Sequence, residues 1–261
     1  MTPLPPAANR DLGQHFLVDG NILGVIGRLA RLDPSDTVLE VGPGLGVLTV
    51  YLADHVSKVH AVEIDRKLGP HLAARLGERT NVAVRFGDAL SLDLAGLDPA
   101  PRKLVSNLPY SIATPLVVES LDGLPSVESW CVMVQREVAE RFFAAPSTKA
   151  YGGVSVLLQL ATRRTGFHPV SRAVFRPRPN VDSALLAFER IPLPASYARV
   201  KKVVEAAFAH RRKTLPNSLE LVGVAARGEA AQALAAIGRR PDARAEALWP
   251  AEFVSLAAAL P

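Results

Sequence analysis

The sequence has a single cysteine among 261 residues and no apolar run near the roughly 20 residues that cross a bilayer. Residues 1–8 lack the basic start and apolar centre of a secretory signal peptide, so we expect no such peptide. Cys131 lies in the apolar run Trp130–Val134, and we interpret it as core packing rather than a nucleophile or metal ligand. We therefore expect a reduced, cytoplasmic protein with no membrane partner.

The sequence has an excess of positive charge that is unevenly distributed. The net charge is +5 and the isoelectric point about 9.6, and residues 196–261 hold ten Lys and Arg against six Asp and Glu. A basic terminal region indicates a polyanionic partner, although an ordinary solvated face would have the same composition. Because 49% of the residues are hydrophobic, the chain can form one large domain or a large domain with a small one.

Strand-like and helical segments alternate from residue 21 to residue 188, which is typical of a parallel sheet with crossover helices. Helices are predicted over residues 21–32, 136–144 and 151–162. The predicted strands are Thr37–Val41, Lys58–Val62, Val82–Phe86, Lys103–Ser106, Ser129–Val134, Thr165–Pro169 and Ser183–Phe188.

A break in this pattern predicts a domain boundary at Ile191-Pro192-Leu193-Pro194. We predict an α/β domain over residues 1–192, whose first 12 residues form a flexible tail, and a small α-helical domain over residues 193–261. The second domain would begin with an amphipathic helix, whose apolar face has the spacing of Val200, Val203, Val204, Ala207 and Phe208.

A glycine loop, Gly42-Pro43-Gly44-Leu45-Gly46, follows the first strand of the alternating pattern. Its spacing differs from the dinucleotide fingerprint, and it can be either a ligand loop or a tight strand–helix turn. No lysine follows it as in a phosphate-binding loop, it has no basic partner for a pyrophosphate, and no cluster has metal-ligand spacing. These absences favour an adenosine-containing ligand without phosphates, such as S-adenosylmethionine, and no metal.

Polar side chains end the next three strands. Glu63 stands 21 residues after Gly42, where a carboxylate can bind both hydroxyls of a ribose. Asp88 can accept from an adenine amino group, and Asn107 ends the fourth strand. Either carboxylate alone would more often be a solvated loop residue, but open α/β sheets bind ligands where such strand ends meet.

Asn107-Leu108-Pro109-Tyr110 is suited to holding a flat, amino-substituted base. The Asn107 amide oxygen and the Leu108 carbonyl can each accept one N–H of an exocyclic amine. Proline stiffens the backbone between them, and Tyr110 offers a stacking face. Alone, these four residues could form an ordinary turn. Because they follow a nucleotide-type loop, they predict a base-binding site.

With these motifs, the sequence resembles the ribosomal RNA adenine N6,N6-dimethyltransferases of the KsgA type, which act on 16S rRNA. The resemblance runs from Gly13 to the C-terminus. Besides the glycine loop and Asn107–Tyr110, it rests on four motifs: Gly13–Leu17, Gln135–Arg141, Phe175–Ser183 and Arg211–Leu215. It implies a Rossmann-like class I methyltransferase domain with a mostly parallel, seven-stranded sheet and a helical, RNA-binding C-terminal domain.

The resemblance also implies the site residues. Asn107, Leu108 and Tyr110 would hold the target adenine, and Phe175 would close its other face. Lys201, Lys202, Arg211, Arg212 and Lys213 would bind RNA. The methyl-donor site would be lined by His15, Leu17, Gly42, Gly44, Glu63, Ile64, Asp88, Ala89 and Asn107.

The implied reaction transfers methyl groups from S-adenosylmethionine to N6 of two adjacent adenosines in a small-subunit rRNA hairpin, during assembly of the small subunit. We expect a monomer that needs no strong general base, with His15 as a positioning residue. Three alternatives stay open: a 23S rRNA adenine-N6 methyltransferase of the antibiotic-resistance type, a DNA adenine methyltransferase, and a non-catalytic assembly or transcription factor on the same scaffold. A nicotinamide oxidoreductase fits least, because the glycine spacing differs.

Overall fold

The computed structural model describes residues 8, 9, 12 and 14–261. Its centre is a seven-stranded sheet in the order β4-β3-β2-β5-β6-β9-β7, and β1 and β8 form a separate two-stranded sheet. The strands are β1 (Phe16–Leu17), β2 (Thr37–Val41), β3 (Lys58–Glu63), β4 (Val82–Phe86), β5 (Lys103–Asn107), β6 (Ser129–Gln135), β7 (Thr162–Val170), β8 (Phe175–Arg176) and β9 (Ser183–Arg190).

The helices that alternate with these strands are α1 (Asn21–Ala30), α2 (Val47–Ala53), α3 (Gly69–Leu76), α4 (Ala113–Gly123), α5 (Arg136–Phe142) and α6 (Gly153–Ala161). After β9 the chain continues through α7 (Tyr197–Ala209), α8 (Leu215–Val222), α9 (Arg227–Ala236) and α10 (Pro250–Ala259). No helix among the described residues is long and apolar enough to cross a membrane.

The sheet is mostly parallel, as predicted. Strands β2 to β6 pair in parallel with their neighbours, and β9 joins β6 antiparallel. The chain goes from β2 outward to β3 and β4, then returns to place β5 on the other side of β2. This reversal lies between β2 and β5, and open α/β sheets bind ligands at such a point, outside the carboxyl ends of the strands.

The sheet centre is covered on both faces. All five residues of β2 are buried, which is consistent with its three apolar residues; Thr37 and Glu40 are the buried polar ones. Helix α1 buries Ile22 and Ile26 against one face. Cys131 lies in the same apolar cluster, where burial raises the pKa of its thiol to about 12, so the interpretation as core packing is confirmed.

The two-stranded sheet was not predicted. It pairs Phe16 with Arg176 and Leu17 with Phe175 in antiparallel register, so it joins the beginning of the described chain to the proline-rich segment before β9. A pair of two-residue strands carries no periodicity in the sequence, and its partners lie about 160 positions apart.

The chain divides into two compact units. One comprises the chain up to Ala139 with Arg164–Arg190, and the other comprises Glu140–Arg163 with Ile191–Pro261. The break after Arg190 lies two residues before the predicted boundary. The prediction of one uninterrupted domain over residues 1–192 needs correction, because residues 140–163 group with the C-terminal helices.

The second unit is helical, and the correction has a packing reason. Helix α6 packs against α7 and α10, and its apolar residues are buried there. Helix α7 has the predicted amphipathic form: Val200, Val203, Val204 and Ala207 are buried. The ring of Phe208, which is half-buried, lies 5.8 Å from that of Phe253 on α10.

The predicted tail over residues 1–12 falls mostly outside the described residues, as does Gly13. Of the three described positions in that range, Ala8 packs against an apolar cluster that contains Phe16. The backbone N–H of Asn9 donates to the side-chain oxygen of Gln14 at 2.8 Å. Leu12 lines the cavity described below.

Candidate active site

A cavity opens at the carboxyl ends of the parallel strands, at the reversal between β2 and β5. The ends of these two strands, of β3, and the loop after β4 contribute to its wall. The donor-site residues predicted from the sequence all line it: His15, Leu17, Gly42, Gly44, Glu63, Ile64, Asp88, Ala89 and Asn107. Leu108 and Tyr110 line it as well.

The glycine loop requires glycine for both conformation and space. Gly42 and Gly44 have φ angles of +76° and +55°, which side-chain-bearing residues rarely adopt. A Cβ atom on Gly42 would lie 3.1 Å from the Pro109 ring, and one on Gly44 would lie 3.1 Å from the Phe16 ring. The loop is therefore packed against the Asn107–Tyr110 turn, and its backbone remains open to the cavity.

Glu63 ends β3 and fixes the glycine loop. Its carboxylate oxygens accept hydrogen bonds from the backbone N–H groups of Gly44, at 3.0 Å, and Asp65, at 2.9 Å. The side chain is buried, and desolvation raises its pKa in spite of these two bonds. Each oxygen keeps a second lone pair, so the carboxylate can accept from a ligand hydroxyl as well.

Glu40 is a cavity residue that the sequence interpretation missed. It lies on β2 just before the glycine loop, is 1% exposed, and its Oε2 has no hydrogen-bond partner among the described residues. Desolvation, with the Glu63 carboxylate nearby, raises its pKa to about 8. A glutamate between the apolar residues Leu39 and Val41 of a predicted strand is the sequence signal that could have identified it.

Asp88 follows β4, and its carboxylate is exposed at the cavity. Its Oδ1 accepts from the backbone N–H of Leu90 at 3.0 Å, so the side chain is oriented by the turn that follows it. Ile64 and Ala89 supply apolar wall beside the two carboxylates of Glu63 and Asp88.

The Asn107–Tyr110 turn presents free acceptors to the cavity. The Asn107 amide nitrogen donates to the His15 carbonyl at 3.4 Å, and the backbone N–H of Leu108 donates to the Met133 carbonyl at 3.1 Å. The Asn107 side-chain oxygen and the Leu108 carbonyl accept no hydrogen bond from the residues that the structure describes. Two acceptors thus remain available at neighbouring positions.

Two further hydrogen bonds hold the rings beside these acceptors. The Tyr110 hydroxyl lies 2.7 Å from Oγ of Ser183, and His15 Nδ1 lies 2.8 Å from the Pro177 carbonyl. Because a carbonyl only accepts, His15 Nδ1 carries the proton. The two ring centroids are 5.8 Å apart. Burial raises the pKa of Tyr110, so its hydroxyl stays neutral at physiological pH.

Phe175 is the predicted site residue that the structure does not bring to the cavity. Its side chain is fully buried in the apolar cluster that contains Leu17 and Ile22, and it is absent from the cavity wall. Of the two aromatic rings expected to contact the two faces of the adenine, only that of Tyr110 therefore lines the cavity. Strand pairing with β1 holds Phe175 in the core.

The basic residues predicted to bind RNA lie in the second unit. Lys202 is exposed and Lys201 half-buried on α7. Arg211, Arg212 and Lys213 form an exposed turn between α7 and α8, which we call the basic turn. The Arg211 guanidinium reaches the Tyr151 carbonyl at 3.5 Å.

The cavity fits a cationic adenosine ligand. Three carboxyl groups border it, and one buried oxygen, Oε2 of Glu40, still lacks a hydrogen-bond donor within the described chain. The backbone of Gly42 and Gly44 lines the cavity, and their positive φ angles keep the loop in this conformation. Across residues 8–9, 12 and 14–261, no group of three or more His, Cys, Asp or Glu side chains is arranged to hold a metal ion.

The class of protein that the strand order and this cavity define is the Rossmann-like, class I methyltransferases, which use S-adenosylmethionine. Solved structures share the fold. A dimethyladenosine transferase from Plasmodium falciparum aligns with a TM-score of 0.74 at 24% identity, covering 93% of this chain and 96% of that one. The 23S rRNA methyltransferase ErmE aligns with a TM-score of 0.67 at 29% identity, covering 94% and 99%.

Sequence comparison identifies the family within that class. The family profile described as ribosomal RNA adenine dimethylase matches residues 6–259. A protein of Rubrobacter xylanophilus named ribosomal RNA small subunit methyltransferase A is 47% identical over 96% of this chain and 94% of its own length. A protein of the same name from Thermobifida fusca is 44% identical over 95% and 88%. The chain belongs to the ribosomal RNA adenine dimethylase family.

Proposed function

We propose that this protein transfers methyl groups from S-adenosylmethionine to N6 of two adjacent adenosines in small-subunit ribosomal RNA. The observation that carries the proposal is the pair of free acceptors on Asn107 and Leu108, beside the Tyr110 ring and packed against the glycine loop. The names of the relatives that are 44% and 47% identical support the small-subunit substrate.

The methyl donor would lie against the glycine loop. When bound, it supplies an activated methyl group on a sulfonium. Glu63 would accept from the ribose hydroxyls through the lone pairs that Gly44 and Asp65 leave free. Asp88 would accept from the adenine amino group. Glu40 adds a buried carboxyl whose Oε2 has no hydrogen-bond partner among the described residues and could bond to the ligand.

Asn107 and Leu108 would orient the target nitrogen. The lone pair of adenine N6 is delocalised into the ring, so the amine is a poor nucleophile. Acceptors on both amino hydrogens favour a more pyramidal nitrogen and fix its direction, and positioning of this kind can supply much of the rate. The Asn107 oxygen is free for this role because its nitrogen is taken by the His15 carbonyl.

Tyr110 would stack on the adenine after the base leaves the RNA stack. Its hydroxyl bond to Ser183 restrains the ring before substrate arrives, which lowers the ordering cost of binding. His15, held by the Pro177 carbonyl, is a positioning residue in this scheme. No strong base is required, since the ammonium-like product of transfer is acidic and can release its proton to water.

The second unit would hold the RNA. Its exposed basic turn and Lys202 can contact phosphates, whereas the cavity receives the base. A protein that acts on ribosomal RNA would work in the cytoplasm, and we propose that it does so as a monomer. A large-subunit substrate is less favoured, because the similarity to ErmE is 29% against 47% for the R. xylanophilus protein.

Methyl transfer to purified ribosomal subunits tests the proposal. Small subunits that lack dimethyladenosine should accept labelled methyl groups from S-adenosylmethionine, whereas large subunits should not. If no label is transferred, calorimetry of S-adenosylmethionine binding distinguishes two explanations. A non-catalytic assembly factor should not bind the donor, whereas an enzyme supplied with the wrong RNA should bind it. Label on large subunits alone would establish the alternative substrate.

A further inference from the structure

The segment from Ser171 to Ser183 contains the proline-rich motif and contacts two residues that line the cavity, His15 and Tyr110. Two hydrogen bonds attach it to the cavity wall: Pro177 accepts from His15 at 2.8 Å, and Ser183 lies 2.7 Å from the Tyr110 hydroxyl. Strand β8 adds a third attachment, because Arg176 pairs with Phe16 in the two-stranded sheet. The segment is therefore placed by the same residues that shape the cavity.

The segment is also held internally. Arg172 donates its guanidinium to the Asn180 carbonyl at 3.1 Å, and its backbone N–H donates to the Asp182 carboxylate at 3.1 Å. The Asp182 carbonyl in turn accepts from the backbone N–H of Arg136 at 3.0 Å. Pro179, which belongs to the segment, is buried. The side chains on its outer surface thus project from a defined backbone.

Arg176 and Arg178 are those outer side chains, and they flank Pro177. Both are exposed, and no carboxylate in the described part of the chain forms an ion pair with either. The Arg176 guanidinium makes one bond, to the Phe175 carbonyl at 3.1 Å, and keeps its other donors. The one carboxylate within the segment, Asp182, already accepts from Arg172.

We infer that Arg176 and Arg178 bind the phosphates beside the adenosine that enters the cavity. This inference rests on the proposed function, and it assigns a second RNA contact that is separate from the basic turn. The two arginines flank Pro177 in the chain, and the Pro177 carbonyl holds His15, which lines the cavity. An unpaired arginine presents a planar fork that matches a phosphate, and it loses no ion pair when it binds one.

A base can enter the cavity only if the RNA backbone that carries it passes across the edge of the cavity, which we call the rim. Phosphate contacts there would set the register of the RNA, so that the target base rather than its neighbour faces Asn107. Arg176 and Arg178 would therefore act in positioning, whereas the cavity residues act on the base.

The test compares a double variant, Arg176→Ala with Arg178→Ala, with a matched control variant. We call this double variant the rim variant. Arg31→Ala with Arg102→Ala removes the same charge near the amino ends of the strands, where Arg31 and Arg102 contact Glu189 and Glu128. The rim variant should weaken RNA binding and make its salt dependence shallower by about 1 to 1.5, near 0.7 for each single-strand phosphate. The control should bind as wild type, and both should bind S-adenosylmethionine normally.

Neutral methylphosphonates next to the target adenosine locate the contact. They should weaken binding of the wild-type protein and have little further effect on the rim variant. Two results would overturn the inference. One is that the methylphosphonates weaken binding of the rim variant as much as binding of wild type, and the other is that the rim variant has the same salt dependence as the control. If either of these results is obtained while the wild-type protein methylates ribosomal RNA normally, only the inference about Arg176 and Arg178 is wrong. If the wild-type protein methylates no ribosomal RNA, the proposed function itself is wrong.

Discussion

The hydroxyl of Tyr110 lies 2.7 Å from the hydroxyl of Ser183, and this contact joins the base-binding turn to the start of β9. Tyr110 is half-buried and lines the cavity, and its hydroxyl is held by this hydrogen bond. The contact separates two contributions of the tyrosine: the stacking area of the ring and the restraint on its position.

Variants at Tyr110 should separate those contributions. Tyr110→Ala removes the ring and should weaken capture of the RNA substrate by about 1–3 kcal/mol, the scale of base–aromatic stacking. Tyr110→Phe and Ser183→Ala keep the ring, and each should cost about 0.5–1.5 kcal/mol, the net worth of one hydrogen bond. The KM for small subunits measures both. A phenylalanine variant as impaired as the alanine variant would show that stacking is not the main contribution.

Asn107→Ala should lower the chemical step more than substrate binding. The side-chain oxygen is free in the structure and would contact the reacting nitrogen, so its loss should reduce kcat and kcat/KM together. Single-turnover methyl transfer measures that step directly. Because the Asn107 amide also donates to the His15 carbonyl, donor affinity should be measured in parallel. If transfer proceeds at the wild-type rate with saturating RNA, the amide has no role in orienting the amine.

Glu63→Ala should weaken S-adenosylmethionine binding by about 1.5–3 kcal/mol, the scale of charged hydrogen bonds. The carboxylate also fixes Gly44, so part of the loss should come from a looser glycine loop. Calorimetric titration gives the affinity, and Glu78→Gln, at an exposed position on the surface, serves as a charge control. Donor affinity equal to that of the control would exclude Glu63 from the binding site.

Glu40 should make stability depend on pH in an unusual direction. Its pKa is about 8 in the folded protein against 4.5 as the ordinary value, so the folded state retains a proton that the unfolded state releases. The free energy of unfolding should therefore fall as pH rises from 4.5 to about 8, by up to about 1.4 kcal/mol per pH unit from this group.

Glu40→Gln removes this titration and keeps the shape of the side chain. Urea unfolding at several pH values between 5 and 8 should show a flatter profile for the variant than for wild type. Glu63, whose pKa is also raised, leaves some of the slope in place. Two parallel profiles would mean that Glu40 is ionised in the folded protein.

Arg211→Ala with Arg212→Ala should reduce RNA affinity and make its salt dependence shallower by about one to two, as expected for lost phosphate contacts. Donor binding should be unchanged. Arg227→Ala with Arg240→Ala removes equal charge from exposed positions of the same unit. The competing explanation is that the basic turn only complements the dipole at the end of α7, worth about 0.3–1 kcal/mol. A lower melting temperature with unaltered salt dependence would favour that explanation.

Local patterns predicted the sheet well. Strands β2 and β4 have the predicted bounds, because short β-branched runs between turns are readable in isolation. The strand-end residues Glu63, Asp88 and Asn107 were predicted to meet, and they do, since parallel strands bring their carboxyl ends to one edge.

Features that depend on distant pairing escaped prediction. The burial of Phe175 follows from its pairing with Leu17, which nothing local in either segment indicates. The grouping of residues 140–163 with the C-terminal helices depends on how α6 packs, and its sequence is apolar enough to suit either unit. The burial of Glu40 likewise depends on the elements packed around β2.

Mass spectrometry of ribosomal RNA after reaction is the most direct test of the central claim. Small subunits lacking the modification should be incubated with S-adenosylmethionine and either the wild-type protein or Asn107→Ala. The account predicts two adjacent N6,N6-dimethyladenosines in the small-subunit RNA with wild type, and little or none with the variant. Unmodified small-subunit RNA with a protein that binds the donor, or methylated adenosine confined to large-subunit RNA, would contradict it.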